Sequence, residues 1–226
     1  MGDVMDLLKN GSEGSKRRLY RLKIQAERMT GRLAGNFVTR AMEEGMEREE
    51  QAVRLYEQAT QSLAVPCGFV LHPSYDFCGA SPDRMVDDGL LEVKSPQAHT
   101  LLLWLEIRRA NEGKEPDWAF IPQEYYDQMQ KQMLCTERQW CDFWAWHPGL
   151  PPVIQRVPRD NERIAILEAQ VCKLHEEIED SIKASGRPAT TWNGSYDEPE
   201  PPADDYDHDK DFADQDYSFL GGEIVP

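Results

Sequence analysis

Asp83 stands nine positions before Glu92, and Lys94 follows Glu92 by two. The run reads Ser81-Pro82-Asp83, then eight residues, then Glu92-Val93-Lys94. Side chains of an extended segment alternate faces, so Leu90, Glu92 and Lys94 share one side and Leu91 and Val93 the other. A carboxylate and an ammonium thus project together from a strand whose opposite face is apolar. Asp83 closes the preceding extended run and reaches the same point if the two runs pair antiparallel. Two hard oxygen ligands beside a cation suit Mg²⁺-assisted hydrolysis of a phosphodiester. The carboxylates hold the ion, the ion polarises a phosphoryl oxygen and acidifies a water, and the lysine orients or deprotonates that water. Taken alone, the three residues also describe a surface turn and an ion pair at a strand end.

A second carboxylate joins them from a helix expected over about 36–61. Met42, Met46, Glu49, Val53 and Tyr56 advance by 4, 3, 4 and 3 along one helical face, so Glu49 occupies an otherwise apolar stripe. A carboxylate buried there costs several kcal/mol unless it is paired or metal-bound. Both a functional role and a salt bridge at the edge of the stripe satisfy that condition. Glu43, Glu44, Glu47 and Glu50 point elsewhere. A helix over about 122–135 sets Tyr126, Met129 and Met133 on its apolar stripe and Tyr125, Gln128 and Gln132 on the adjoining one. From there Gln128 either bonds the attacking water or a metal ligand, or is a surface amide.

The remaining elements must carry these groups. A helix over 16–30 stops at Gly31. Strands are expected at 65–71, 77–83 and 90–94, with Asp87-Asp88-Gly89 as a hairpin turn. A helix covers 98–110, and aromatic-rich strands follow at 140–146 and 153–157. Asp160 caps a last helix with Ile164, Leu167, Val171, Leu174 and Ile178 on one stripe. Helices flanking a mixed, mostly antiparallel central sheet make one α/β (α+β) domain over 1–186.

Composition narrows the setting. The 226 residues carry a net charge of −16. Residues 187–226 hold eleven acidic groups against Arg187 and Lys210, a net of −9 that leaves −7 for 1–186. That segment, rich in Pro and Tyr and without an apolar period, reads as a disordered acidic tail. Lys16, Arg17, Arg18, Arg21 and Arg28 belong to the one concentrated basic segment, which suits either DNA phosphates or a solvated helix face. Five cysteines at wide spacings and five histidines form no zinc pattern. No apolar run approaches the ~20 residues of a membrane span, so no membrane role and a cytoplasmic location are expected.

These segments together resemble a known family. Gly45-Met46-Glu47-Arg48-Glu49, Ser81-Pro82-Asp83, Leu91-Glu92-Val93-Lys94-Ser95-Pro96, Tyr126-Asp127-Gln128-Met129-Gln130 and Trp140-Cys141-Asp142-Phe143 are similar, in order and spacing, to the lambda exonuclease and YqaJ-like viral recombinase type. That type lies within the PD-(D/E)XK nuclease superfamily. The resemblance spans roughly residues 16–180 and implies a restriction-endonuclease-like core. It implies Mg²⁺, replaceable by Mn²⁺, on Asp83, Glu92 and the Val93 carbonyl, with Glu49 reaching the metal directly or through water. Lys94 then activates the water and Gln128 helps position it. The resemblance further implies 5′→3′ degradation of one strand at double-stranded DNA ends, a homotrimer, and a single-strand annealing protein as partner in a bacterial host cell. Where the family carries a Thr-Ala-Ser helix start that helps hold phosphate, this chain opens at Met1-Gly2-Asp3-Val4, so that segment reads as shortened. An endonuclease of the same superfamily and a catalytically impaired DNA- or partner-binding protein are the competing readings.

Overall fold

A computed structural model describes residues 1–33, 40–114, 116–186, 189–190 and 195–196, with backbone alone for 40–47 and 195–196. In chain order the elements are α1 (Gly2–Met5), α2 (Ser15–Thr30), β1 (Arg32–Leu33), α3 (Arg40–Thr60), β2 (Ala64–Pro66), β3 (Val70–Leu71), β4 (Gly79–Ala80) and β5 (Arg84–Val86). They continue with β6 (Gly89–Lys94), α4 (Ala98–Ala110), α5 (Gln123–Thr136), β7 (Trp140–Ala145), β8 (Val153–Pro158), α6 (Asn161–Ala184) and β9 (Ser195–Tyr196).

The central sheet runs β2-β5-β6-β7-β8. Three of its pairings are antiparallel, and β6–β7 is parallel. The parallel pair needs a long crossover, and α4 and α5 supply it. Alternation along β6 and β7 sorts the sheet into two apolar layers. Leu90, Cys141, Phe143 and Ala145 pack under Leu101, Trp104 and Ile107 of α4 and Met129 and Met133 of α5. On the other face Leu91, Val93 and Trp144 meet Ala52, Val53 and Tyr56 of α3. Leu90, Leu91 and Phe143 are wholly buried, each contributing about 1.5–3 kcal/mol.

Three tethers lock the helices. Asp160 caps α6 by accepting from the Arg163 N–H at 2.9 Å, and Tyr126 of α5 donates to the same carboxylate. Arg163 in turn clasps buried Asp127 of α5 with two 2.7 Å bonds. On the opposite layer the Tyr56 hydroxyl of α3 donates to Asp142 of β7 at 2.7 Å, and Arg156 binds that aspartate in bidentate fashion. Charge-assisted bonds of this kind fix geometry as well as energy.

The structure redraws two expected strands. Residues 65–71 divide into β2, which joins the sheet, and β3, which pairs instead with β4. The strand that pairs antiparallel with β6 is β5, beginning one residue after Asp83. The turn lies where expected, with Asp87 at φ 47°. Gly89 is required there, since a Cβ would sit 2.2 Å from the Trp140 indole. At the start of the segment expected to be disordered, Thr190 N–H donates to the Arg28 carbonyl, and Ser195–Tyr196 pairs parallel with Arg32–Leu33. Residues 197–226 lie outside the described residues, as do the side chains of Met42 and Met46. Among the described residues no helix is long and apolar enough to cross a membrane.

Candidate active site

Strand β6 delivers Glu92 and Lys94 to the face covered by α5. Glu92 is 0% exposed, a position that costs an ionised carboxylate several kcal/mol unless its oxygens are engaged. Both are. The Lys94 ammonium ion-pairs with Oε1, and Gln132 Nε2 donates to Oε2 at 2.6 Å. The same ammonium sits 4.6 Å from the centroid of the Tyr125 ring, a cation–π arrangement. Burial pulls the Lys94 pKa down, but the Glu92 charge and hydrogen bond outweigh it and hold the amine above its ordinary value.

Asp83 reaches this point from the residue before β5. Its Oδ2 accepts the Val93 N–H at 2.7 Å, while Oδ1 has no hydrogen bond among the described residues. Burial, then the charge of Glu92, pushes the carboxyl up to about 7, against the pull of the Val93 N–H. Two acidic groups crowded away from water present a hard donor set that a divalent cation would relieve. Gln132, whose amide nitrogen holds Glu92, and Ser95, next to Lys94 in the chain, each bury a side-chain oxygen without a hydrogen-bond partner among the described residues. These orphaned atoms are natural partners for ordered water. The residues present therefore fit a divalent metal.

Glu49 approaches from the other layer, on α3. It does not form a third side-chain ligand beside Asp83 and Glu92. Its Oε1 accepts from Arg84 Nη1 at 3.0 Å, so it takes the salt-bridged position at the edge of the stripe. Among the described residues no three His, Cys, Asp or Glu side chains form a group able to hold a metal. Asp83, Glu92, Lys94 and the Val93 backbone come together, and Glu49 stands at their margin, within reach of Asp83 electrostatically. The reason is layering: α3 covers the Leu91/Val93 face, whereas Glu92 and Lys94 point to the face under α5.

Gln128 is half-buried on α5, on the stripe that runs from Tyr125 to Gln132. Tyr125 and Gln132 touch the Lys94–Glu92 pair, so helical geometry sets Gln128 between them on the site-facing side. The amide that binds Glu92 is Gln132, one turn further on. Its signal was the shared 125/128/132 stripe. Arg84 carried no periodic signal, only its adjacency to Asp83.

The basic segment is largely engaged inside the fold. Arg17 is buried, with Nη1 bonded to Glu13 at 3.2 Å and Glu177 at 2.6 Å. Arg21 takes Glu13 at 2.9 and 3.0 Å, and Arg28 pairs with Glu179 at 2.5 Å. Packing of α2 on α6 brings Glu177 to Arg17 and Glu179 to Arg28, while Glu13, just before α2, holds Arg21. Lys16 and Arg18 remain at the surface.

Comparison with known proteins agrees with this architecture. The family model of the YqaJ-like viral recombinase domain matches residues 7–139. Among solved structures, the chain is similar to an alkaline exonuclease, LHK-Exo, from Laribacter hongkongensis. Identity is 31%, covering 82% of this chain and 88% of that one, with a TM-score of 0.65. The same exonuclease in complex with dAMP matches at 31% identity, 82% and 90% coverage, and a TM-score of 0.64. A phage related exonuclease from Haemophilus somnus 129PT shares the fold at 14% identity, 81% and 93% coverage, and a TM-score of 0.62. No curated protein matches the chain in sequence.

Proposed function

The chain belongs to the YqaJ-like viral recombinase family, and we propose that it is a divalent-metal-dependent exonuclease of double-stranded DNA. The carrying observation is the buried Glu92, held between Lys94 and Gln132 with Asp83 alongside, at the end of β6. Asp83, Glu92 and the Val93 carbonyl would hold Mg²⁺, or Mn²⁺ in its place, with Glu49 acting through bound water. When bound, such an ion polarises a phosphoryl oxygen and lowers the pKa of water.

The protein's own groups then divide the work. An ammonium paired with Glu92 stays protonated at neutral pH, so Lys94 enters as a hydrogen-bond donor. It orients the attacking water and lies ready to meet negative charge on the phosphoryl group. It could deprotonate that water only after losing its carboxylate partner. Gln128 and the uncommitted Gln132 Oε1 lie on the same helical side and can hold a water in line. Lys16 and Arg18 supply surface charge for backbone phosphate.

We place the activity at duplex ends in a bacterial cell. Degradation runs 5′→3′ from a homotrimer within the PD-(D/E)XK superfamily, and the remaining strand passes to a single-strand annealing protein. Linear duplex labelled at either the 5′ or the 3′ end, incubated with Mg²⁺ or with chelator, tests the proposal. Mg²⁺-dependent release of 5′ label first is expected. Release of 3′ label first overturns the polarity. Cutting of closed-circular duplex at the linear rate makes the protein an endonuclease, and no release from any substrate removes the enzymatic assignment.

A further inference from the structure

Arg84 follows Asp83 directly, and its side chain is largely withdrawn from solvent. Three oxygens close around the guanidinium: Glu49 Oε1 at 3.0 Å, the Asp83 carbonyl at 2.7 Å and Glu50 Oε1 at 2.5 Å. Two come from α3 and one from the residue that leads into β5. One planar group thus ties the helix bearing Glu49 to the backbone bearing Asp83. A guanidinium presents its N–H groups in a rigid fork, and an ammonium on a similar stem cannot hold the same oxygens in the same directions. The pairing also orders Glu49 unequally. Its Oε1 is engaged, and its Oε2 has no hydrogen bond among the described residues.

Resting on the metal-dependent reading above, we infer that Arg84 is a positioning residue of this site, holding one oxygen of Glu49 so that the other stays available to cation-bound water. A long glutamate side chain left unheld samples many rotamers, and ordering it on binding costs affinity. With Arg84 in place that ordering is already made in the metal-free protein. Partners that orient a ligand in this manner commonly change metal affinity by about 10–100-fold when removed.

The test measures Mn²⁺ binding to the chelator-treated full chain without DNA, by the electron paramagnetic resonance signal of free Mn²⁺. Native protein, Arg84→Lys, Glu49→Gln and the double variant are compared. Arg84→Lys keeps the charge and loses the fork, so a change reports geometry. About tenfold weaker binding is expected for each single variant, with the double variant no weaker than Glu49→Gln alone, because both changes remove the same effect. Arg84→Lys binding within about twofold of native, or losses that multiply in the double variant, would overturn the inference. If Arg84→Lys does not fold, Glu49→Asp decides. It keeps the charge but is too short to hold Arg84 and still reach inward, and native-like Mn²⁺ affinity would refute the role. Native protein that binds no Mn²⁺ brings down the metal-dependent reading itself, a result separate from a native-like Arg84→Lys.

Discussion

Replacing Lys94 by methionine retains a flexible stem against the Tyr125 ring and removes the ammonium that ion-pairs with Glu92. The structure sets the size of the effect. Breaking a buried ion pair by deleting one partner costs about 3–5 kcal/mol, since the other charge is left without compensation. The Lys94 side chain is 22% exposed and Gln132 still donates to Glu92 Oε2. Those two facts reduce the expected loss to about 2–4 kcal/mol. For a domain of this size 1 kcal/mol corresponds to about 2–4 °C, so the melting temperature in chelator should fall by roughly 4–16 °C. A divalent cation beside Glu92 replaces the missing charge, so added Mn²⁺ should raise the variant's melting temperature more than the native one. Nucleotide release should still drop by about 10²–10³-fold, because the metal does not replace a positioned hydrogen-bond donor. Thermal unfolding with and without Mn²⁺, and release of acid-soluble nucleotide from linear duplex, measure both parts. Release within tenfold of native, or an unchanged melting temperature in chelator, would refute the role drawn from the buried pair.

Further expectations follow from neighbouring contacts. Asp83→Asn and Glu92→Gln should abolish nucleotide release while circular dichroism shows the native fold; full activity in either would remove it from the site. Tyr56→Phe deletes a 2.7 Å bond to a charged, buried carboxylate and should lower stability in urea by about 1.5–3 kcal/mol. A difference below about 0.5 kcal/mol would show that the tether of α3 to β7 is energetically idle. The Asp83 carboxyl, raised to about 7 by burial and by Glu92, binds a proton in the folded protein where the unfolded chain has lost it. The contribution of Asp83 to metal-free stability should therefore be full below the ordinary aspartate pKa and be lost as pH rises through about 7. Asp83→Asn should show a shallower decline between pH 5 and 8, and matching profiles would contradict the shift.

Much of this architecture was legible because it follows from local rules. Alternation along Leu90–Lys94 placed Glu92 and Lys94 together, and the structure shows that arrangement. Asp160 was readable as a cap because a short acceptor stood just before a helical apolar stripe. What local rules missed depends on distant partners. Nothing near 65–71 reveals that the run divides between two sheets, or near 77–83 that its strand joins the smaller one. Arg17 looked like part of a charged surface, and its burial depends on Glu177, 160 residues away. Glu49 shares a helical face with Val53 and Tyr56, which are buried. Its counter-ion, Arg84, follows from α3 crossing the sheet beside Asp83, which no periodicity encodes. Gln132 and Gln128 share a face, and only the rise of the helix decides which amide meets Glu92.

Strand β6 lies between two apolar layers, and its Val93 amide is tied to Asp83 rather than left to solvent. That amide should exchange with heavy water only when the whole molecule opens, at the slowest rate the chain displays. Chemistry seated in the least yielding segment cannot be tuned by local breathing. Evolutionary change in turnover or substrate grip must then come from the periphery, where helices and loops can drift without disturbing the strand.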